Sequence, residues 1–420
     1  MDGDRERNIK HHSLTGRITR TLMYAAFRSV KRNRGAAGVD KVSIQQFESN
    51  LEENLLALMH RLKKGVFQPL PARRVYIDKG GGKLRPLGIP VVRDRVAQEV
   101  LRQLLSPLFE QLFHDDSYGF RPGRSTHRAL ERAKQLQRQG YNHVLDADIS
   151  GFFDNIPHEV IMRGLTHVVA DGNILRIVQR FLRAGVMEDG TLRPTTVGTP
   201  QGGVISPLLA NIALNFLDWH LTRNGFRCVR YADDFVVLCR SARRAKEALS
   251  VVSQKLTELG LKLSPEKTRV TNFRQGFAFL GFELRARSAR MRTKTQERFK
   301  DKIREMTVRK HNLDAQVIVR LNAVIRGVAR YYATSFSTVR EQFRYLDAWI
   351  RRRIRCMKFK RKSDRDNCRL RLRHIRRMGL AFLMDHLKPQ QTKVGRAPGN
   401  RQAPRGRPVP ERGTPVNMRN

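Results

Sequence analysis

Two adjacent carboxylates interrupt an apolar stretch in the second half of the chain. The order is Tyr231-Ala232-Asp233-Asp234, preceded by Cys228 to Arg230 and followed by Phe235 to Cys239. Short apolar segments on either side of these residues predict two strands joined by a four-residue turn. Neighbouring carboxylates in a tight turn repel one another and lose solvation, and a divalent cation relieves both costs. A solvated turn without chemistry is the plainer alternative.

A second acidic segment lies upstream. It runs from Val144 to Asp154 and contains Asp146 and Asp148. Because alternate residues of a strand share a face, these two carboxylates should point the same way. Asp148 lies nearer the end of the strand, where sites usually open. Together Asp148, Asp233 and Asp234 could hold two Mg²⁺ ions about 3.5 to 4 Å apart, with Mn²⁺ able to replace Mg²⁺.

Several segments resemble those of bacterial group II intron reverse transcriptases, also called maturases, in order and in spacing. Tyr231 to Asp234 resembles the signature of reverse transcriptases, and Asp148 to Asp154 resembles their first palm block. The other segments that carry the resemblance are Gly35 to Asp40, Arg85 to Pro90, Ser117 to Ser125, Thr199 to Ile212 and Leu280 to Phe282. The resemblance covers roughly residues 20 to 385.

The residue patterns predict an α+β fold. Helical and strand patterns alternate before residue 285, and helical spacing dominates after residue 295. Strands are predicted at Val75 to Ile77, Tyr141 to Ile149 and Phe277 to Leu284. The resemblance implies a right-hand polymerase fold, with fingers and an antiparallel palm sheet, followed by a helical thumb and maturase (X) domain. The expected limits are 1–140 for the N-terminal extension and fingers, 141–284 for the palm with residual finger segments, 285–391 for the thumb and maturase domain, and 392–420 for a basic flexible tail.

Two cations flank the glycine turn of the finger hairpin. Lys79 precedes Gly80 to Gly82, and Arg85 follows it. A flexible loop with two cations suits an incoming triphosphate, where it would neutralise charge on the leaving pyrophosphate. The resemblance implies this contact for both residues. A solvated basic loop is the alternative.

The segment around Gln201 combines a glycine pair with a helix start. By resemblance, Gln201 lies against the incoming nucleotide and the nascent base pair. Gly202 and Gly203 should let the backbone approach a ligand closely. Ser206 and Pro207 should open a helix, with Ser206 as the cap.

Two further roles rest on the resemblance. Phe153 matches the aromatic residue that packs under the sugar and excludes a 2′-hydroxyl, whereas Phe152 is interpreted as a core residue. Lys267 matches the position proposed to protonate the leaving group. An exposed lysine is more often only solvated, so this assignment depends on the match.

The charge of the chain predicts a polyanionic partner. The 420 residues include 82 Lys and Arg against 38 Asp and Glu, a formal net charge of +44. Such an excess indicates nucleic acid. From Arg285 onward there are 38 basic and 10 acidic residues, which places most of the excess in the last third. A hydrophobic content of 40% excludes a purely disordered basic chain.

The most basic segment lies in the predicted maturase domain. From Arg351 to Arg377, 14 of 27 residues are Lys or Arg. Arg351, Arg352, Arg353 and Arg355 are the predicted RNA contacts, which implies a steep salt dependence of binding. A solvated charged helix is the alternative.

The cysteines and apolar runs exclude other classes of protein. None of the four cysteines forms a C-x-x-C pair, which argues against a zinc finger and against a disulfide scaffold. A reducing compartment is therefore expected, and the resemblance to bacterial enzymes implies the bacterial cytoplasm, in association with the nucleoid. No apolar run approaches the roughly 18 to 20 residues of a membrane span.

The resulting hypothesis is an RNA-directed DNA polymerase and splicing cofactor of a mobile group II intron. Its expected partners are group II intron RNA, an RNA template with a DNA primer, dNTPs and target DNA, without a membrane. No HNH nuclease domain is expected, so insertion would use an existing DNA end or a replication-fork primer. The alternatives are a domesticated reverse transcriptase used in defence or repair, and a non-catalytic RNA chaperone.

Overall fold

The computed structural model of the chain describes residues 10–78, 84–199 and 202–387. In chain order, the helices are α1 Arg20–Arg32, α2 Ile44–Ser49, α3 Leu51–Lys64, α4 Val92–Glu110, α5 Thr126–Arg138, α6 Phe152–Asn155, α7 His158–Thr166, α8 Gly172–Arg183, α9 Ser206–Arg223, α10 Ala242–Glu258, α11 Thr293–Met306, α12 Ala315–Tyr332, α13 Arg340–Phe359, α14 Asp366–Arg369 and α15 Leu372–Arg377. The strands are β1 Ala72–Asp78, β2 Leu84–Ile89, β3 His143–Asp148, β4 Val186–Glu188, β5 Thr191–Arg193, β6 Arg227–Tyr231, β7 Asp234–Cys239, β8 Arg269–Asn272, β9 Phe277–Phe279, β10 Phe282–Leu284 and β11 Ala289–Met291. Single 3₁₀ turns lie at Thr15–Arg17 and Leu383–His386.

The central antiparallel sheet has the strand order β6-β7-β3-β8. Leu145 and Ala147 of β3 belong to a core shared with α9 and α10. Val144 belongs to a second core, which it shares with α5 and the C-terminal helices. Because residues alternate along a strand, Asp146 and Asp148 lie on the same face as Val144. The sheet therefore has a packed core on each face, and Asp148 lies at the end of β3 on the face that carries the second core.

A second sheet has the order β2-β1-β4-β5. Strands β1 and β2 form an antiparallel hairpin in which Asp78 pairs with Leu84, and β1 also pairs with β4 in parallel. The predicted strand at Val75 to Ile77 is present within β1. Arg85 lies on β2, the strand at one edge of this sheet.

The segment from Phe277 to Leu284 was expected to be one strand and is two. Strands β9 and β10 pair as a hairpin, and β11 extends the same small sheet. Leu280 and Gly281 form the turn with φ of 46° and 81°, so the backbone reverses where a continuous strand was predicted. Leu284 pairs with Ala289. The sheet thus crosses residue 285, and the helical region begins at Thr293.

The C-terminal helices pack around the second core. The 3₁₀ turn at Leu383–His386 contacts both α12 and α13. Buried Asp347 of α13 accepts hydrogen bonds from the backbone amides of Leu383, at 2.9 Å, and Met384, at 3.0 Å. This bond pair fixes the end of the described chain against the helices. Across the described ranges, the helices are too short or too polar to cross a membrane.

Candidate active site

The Asp-Asp segment forms a tighter hairpin than predicted. Tyr231 pairs with Asp234 across the antiparallel strands β6 and β7, so only Ala232 and Asp233 form the turn. Ala232 has a φ of 59°, in the left-handed region that costs a residue with a Cβ about 1 to 3 kcal/mol. The surrounding structure must hold this turn in place, because Ala232 does not favour the conformation by itself.

The predicted carboxylates converge at one end of the central sheet. Asp148 is paired directly with Asp234 in the register of β3 and β7, and Asp233 lies in the adjoining turn. Burial and, after it, repulsion from three neighbouring carboxylates raise the pKa of Asp234 to about 7. Those neighbours are Asp146, Asp233 and Asp148. Burial also raises the pKa of Asp233 and of Asp146. The cluster therefore carries more negative charge than its surroundings stabilise.

Cationic side chains partly neutralise this cluster. Lys267 Nζ lies 2.6 Å from Asp148 Oδ2, so the structure brings together two residues that the sequence predicted separately. Arg269 Nε lies 3.2 Å from Asp146 Oδ2. The side chain of Lys267 is 60% exposed, whereas that of Asp148 is 25% exposed. Lys267 can therefore leave Asp148 without crossing packed protein.

The chemistry of the donors fits a divalent cation. Within residues 10–78, 84–199 and 202–387, no three His, Cys, Asp or Glu side chains are already arranged to hold a metal ion. One oxygen of Asp148 is instead bonded to Lys267. The cluster nevertheless offers hard carboxylate oxygens whose mutual repulsion a divalent cation would relieve. Metal binding would require the Asp148 side chain to exchange its lysine for the ion.

The predicted nucleotide-contact residues are only partly within the described residues. Lys79 and Gln201 lie outside them. Arg85 pairs with Ile77 in the finger hairpin. Burial raises the pKa of Asp154 and of Asp233, and the positive charge of Arg85 offsets part of that rise in both. The finger hairpin thus brings Arg85 into the electrostatic field of the carboxylate cluster.

The two adjacent phenylalanines have different surroundings. Phe152 is 2% exposed and belongs to the core, in agreement with its interpretation from the sequence. Phe153 is half-buried, and its ring centroid lies 5.4 Å from that of Phe152. The Phe153 carbonyl accepts a hydrogen bond from the Thr199 amide at 2.8 Å. Phe153 therefore lies beside the segment that leads to Gln201.

The segment after Thr199 differs from the sequence predictions in two ways. A Cβ added to Gly202, whose φ is 114°, would lie 2.5 Å from the Gly88 carbonyl oxygen. The glycine therefore allows strand β2 to approach its backbone closely, where the sequence predicted the approach of a ligand. Ser206 is the first residue of α9, and Ile205 occupies the cap position. The Ser206 hydroxyl instead accepts a hydrogen bond from the Thr199 hydroxyl at 2.6 Å. The prediction of Ser206 as the cap was wrong, because its side chain bonds to the preceding loop.

A buried ion pair under the Asp-Asp turn was missed in the sequence. Arg230 is 0% exposed, and its guanidinium donates to the carboxylate of Asp218 in α9, with an Nη2–Oδ2 distance of 2.5 Å. Its Nη1 donates to the Ala232 carbonyl oxygen at 3.0 Å and to Asn211 Oδ1 at 2.9 Å. The signal was available, because an arginine in a buried strand requires a partner and Asp218 lies between the apolar residues Leu217 and Trp219.

The same network reaches the Ser117 to Ser125 segment. Asn211 Nδ2 donates to the Gly119 carbonyl at 2.8 Å. A Cβ on Gly119 would lie 2.3 Å from the Ala232 amide nitrogen, so a larger residue there would displace the turn. Three of the segments that carry the family resemblance therefore meet around the backbone of Ala232.

The four predicted RNA-contact arginines separate into two pairs. Arg352 is exposed and Arg351 is half-buried. Arg353 donates to the Thr307 hydroxyl at 3.0 Å and to its carbonyl at 2.6 Å, and Arg355 donates to the Leu370 carbonyl at 3.0 Å. Burial lowers the pKa of both bonded arginines. Contact with RNA stays a prediction for all four.

The order and geometry of these segments agree with comparisons to known families. A model described as reverse transcriptase, or RNA-dependent DNA polymerase, matches residues 77–284, which include all three predicted catalytic carboxylates. A model of the group II intron maturase-specific domain matches residues 296–378. The chain belongs to the group II intron reverse transcriptases. This reverse transcriptase is therefore an RNA-directed DNA polymerase by family, and the predicted α+β right-hand fold is confirmed.

The chain is also similar to individual proteins. The reverse transcriptase is 36% identical over 297 residues to protein YkfC of Escherichia coli K12, a match that covers 61% of this chain and 78% of YkfC. It is 28% identical over 432 residues to the group II intron-encoded protein LtrA of Lactococcus lactis subsp. cremoris, covering 77% of this chain and 71% of LtrA. A solved telomerase from Candida albicans matches 80% of this chain and 66% of its own, with a TM-score of 0.42 and 15% identity.

Proposed function

We propose that this reverse transcriptase copies RNA into DNA by two-metal nucleotidyl transfer at Asp148, Asp233 and Asp234. The observation that supports this most strongly is the direct pairing of Asp148 with Asp234, with Asp233 in the adjoining turn. Burial and mutual repulsion raise the pKa of Asp234 there to about 7. Hard oxygen donors with poorly stabilised negative charge suit Mg²⁺, or Mn²⁺ in its place.

The chain's own residues would position the reactants. When bound, two divalent ions supply activation of the primer 3′-hydroxyl and stabilise charge on the leaving pyrophosphate. The three carboxylates would hold these ions at fixed positions because they end paired strands or lie in the turn between them. Arg85, with Lys79, would contact the triphosphate from the finger hairpin, and Gln201 would contact the nascent base pair.

Two side chains would act on the nucleotide itself. Half-buried Phe153 would lie under the sugar and exclude a 2′-hydroxyl. Lys267, released from Asp148 when the ions bind, would reach the leaving group and donate a proton to it. The 60% exposure of the Lys267 side chain supports this movement.

The basic helical region would bind the RNA that encodes the enzyme. Residues 285–391 form the proposed thumb and maturase domain, after proposed fingers at 1–140 and palm at 141–284. Binding of group II intron RNA there would assist splicing. Copying of the same RNA from a DNA primer with dNTPs, at a target DNA, would complete retrohoming. The match of the maturase-specific model to residues 296–378 supports this part of the proposal.

Primer extension on poly(rA)/oligo(dT) with dTTP tests the proposed activity. The full chain should extend the primer with Mg²⁺, and removal of the ions with EDTA should stop synthesis. RNA binding, measured in parallel, should persist in EDTA. Tight RNA binding without any extension under Mg²⁺ or Mn²⁺ would contradict the proposal and favour the RNA chaperone.

A further inference from the structure

A polar cleft of about 750 Å³ lies between α5 and the loop that precedes α13. Its walls include Arg128, Lys134 and Arg138 from α5, with Ser335 and Phe336 from the loop. None of the three proposed metal-binding carboxylates lines it. The cleft is therefore a separate feature from the polymerase site, at the junction of the central sheet and the C-terminal helices.

The cleft contains a buried cation without an acidic partner. Lys134 is 7% exposed, and its ammonium donates to the carbonyls of Arg285, at 2.9 Å, and Ala286, at 3.1 Å. Within the described parts of the chain, no carboxylate forms an ion pair with it. Burial lowers its pKa, and the nearby charge of Arg138 lowers it further. The ammonium also lies 5.6 Å from the centroid of the Phe273 ring, and one of its three donors has no hydrogen bond to the described residues.

Two more arginines add charge that the protein does not neutralise. Arg128 and Arg138 are exposed, and neither has an ion-pair partner among the described residues. The remaining arginines of the cleft differ, because Arg124 is paired with Asp115 and Arg132 with Asp116. Glu131 is the one acidic residue among the described residues that line the cleft. The walls therefore keep a net positive charge from Arg128, Lys134 and Arg138.

We propose that this cleft binds the phosphate backbone of a folded RNA segment that is not being copied. This inference rests on the proposed function, since it adds a second RNA contact to the proposed polymerase. Lys134 and the two exposed arginines would contact phosphate oxygens, and Phe336 would stack on an unpaired base. The combination of arginines, a buried lysine and an aromatic wall favours a looped RNA over a regular duplex.

A double variant tests the contribution of the exposed arginines. Arg128→Ser with Arg138→Ser removes two positive charges from the cleft, and both residues are exposed, so the fold should be unaffected. Arg243→Ser with Lys246→Ser is the matched control, because it removes the same charge from exposed positions on α10. The probe is an RNA hairpin with a stem of about 20 base pairs and a single-stranded loop. Its affinity is measured across a salt series.

The cleft variant should bind the hairpin roughly tenfold more weakly near 0.2 M salt, and its slope of log affinity against log salt should be shallower by up to about two units. The control variant should change both values much less. Extension of oligo(dT) on poly(rA) should stay near the wild-type rate in both variants. Loss of extension together with binding would instead mean that the cleft is part of the template path, and would overturn the inference.

A second variant and a second probe separate loss of RNA binding from loss of folding and from general loss of charge. Arg128→Gln with Arg138→Gln keeps exposed polar side chains and removes both charges, so weaker hairpin binding with an unchanged melting midpoint would support a phosphate contact. The same hairpin made of DNA should bind less tightly and respond less to the cleft variant. Equal losses in the cleft and control variants, or equal losses for RNA and DNA, would overturn the inference, while primer extension would still report on the proposed polymerase.

Discussion

The surroundings of Asp234 raise its pKa well above that of an exposed aspartate. Burial and the carboxylates of Asp146, Asp233 and Asp148 raise its pKa to about 7, whereas an exposed aspartate ionises near pH 4. The folded state therefore binds this proton more tightly than the unfolded state does. By linkage, the contribution of Asp234 to the free energy of unfolding is largest below about pH 4 and declines as pH rises to about 7.

This linkage predicts a stability effect that divalent ions should reverse. Without such ions, the melting midpoint of Asp234→Asn should fall less than that of the wild type between about pH 4 and pH 7. Both proteins retain Asp94, whose burial raises its pKa to about 6, so that group contributes equally to both and the difference reports on the carboxylate cluster. Mg²⁺ added near pH 8 should raise the wild-type midpoint and leave the variant almost unchanged. Calorimetry that shows identical pH and Mg²⁺ responses would contradict the cluster's proposed role.

Phe153 provides a test of nucleotide selection. Phe153→Ala should increase insertion of ribonucleotides relative to deoxynucleotides by roughly tenfold or more, because it opens space for a 2′-hydroxyl. Single-nucleotide insertion of an rNTP and the matching dNTP measures the ratio. Phe152→Ala is the control, since it should cost about 3 to 5 kcal/mol of stability through a core cavity without changing the ratio. An unchanged ratio in Phe153→Ala would assign the selection to another residue.

Residue types identified the acidic cluster, but not its cationic partner. Adjacent Asp233 and Asp234, and the two-residue spacing of Asp146 and Asp148, are visible in the sequence because strand periodicity is local. The ion pair between Lys267 and Asp148 joins residues 119 positions apart. Only the tertiary fold sets that distance, so the sequence could assign Lys267 a role by resemblance alone.

At the scale of elements, the buried network under the turn should position Asp233. Arg230→Met removes the donor to the Ala232 carbonyl and leaves Asp218 as an unpaired buried charge, at a cost of about 3 to 5 kcal/mol. The variant should melt at lower temperature and polymerise slowly. The double variant Arg230→Met with Asp218→Leu removes the unpaired charge, and should therefore recover much of the melting temperature.

The double variant separates positioning from stability. Its turnover should stay low at saturating dNTP, because the contact to the turn is still missing, and it should need more Mg²⁺ for half-maximal rate. Steady-state kinetics across a Mg²⁺ series, with melting curves beside them, measures both effects. A double variant with wild-type turnover and Mg²⁺ dependence would show that the network only stabilises the fold.

Helices and strands could be predicted from the sequence where a short residue pattern determines them. Strand β3 and the β6–β7 hairpin follow from apolar runs around polar turns. The turn between β6 and β7 is shorter than expected, because cross-strand pairing of Tyr231 with Asp234 extends the ladder. The break between β9 and β10 was missed, since Leu280 adopts a φ of 46° that a leucine does not favour by itself. Packing of Tyr331 and Tyr332 against this turn supplies the stabilisation, through hydrogen bonds to the Leu280 and Gly281 carbonyls.

At the scale of the whole molecule, the four predicted RNA-contact arginines of α13 should have two different roles, RNA binding and stabilisation of the fold. Arg351→Ala with Arg352→Ala should weaken RNA binding and make its salt slope shallower by up to about two units, with little change in melting. Arg353→Met should instead lower stability by about 1 to 3 kcal/mol, because it leaves the Thr307 carbonyl without its donor. Salt-series binding and denaturant unfolding distinguish the pairs. Identical effects of both changes on binding and stability would contradict this division.

Net charge predicted a nucleic-acid partner, but not how the cations are used. The run from Arg351 to Arg377 looks uniform in sequence. In the fold, Arg353 and Arg355 satisfy backbone carbonyls of the protein, while Arg352 faces solvent. Which arginine meets a carbonyl depends on the packing of α13 against residues tens of positions away. Composition therefore indicated the class of partner, and the fold was needed to separate structural from exposed cations.

The proposed polymerase chemistry depends most directly on Asp233. Asp233→Ala should reduce single-turnover primer extension by orders of magnitude, to less than about a thousandth of the wild-type rate, while RNA binding stays near wild type. Asp301→Ala, which removes an exposed carboxylate from α11, is the matched control and should extend primers normally. The measurement is extension of oligo(dT) on poly(rA) with Mg²⁺, with RNA affinity determined on the same preparations. The predicted result is an inactive Asp233→Ala that still binds RNA, and extension at about a tenth of the wild-type rate or more would contradict the proposed metal site.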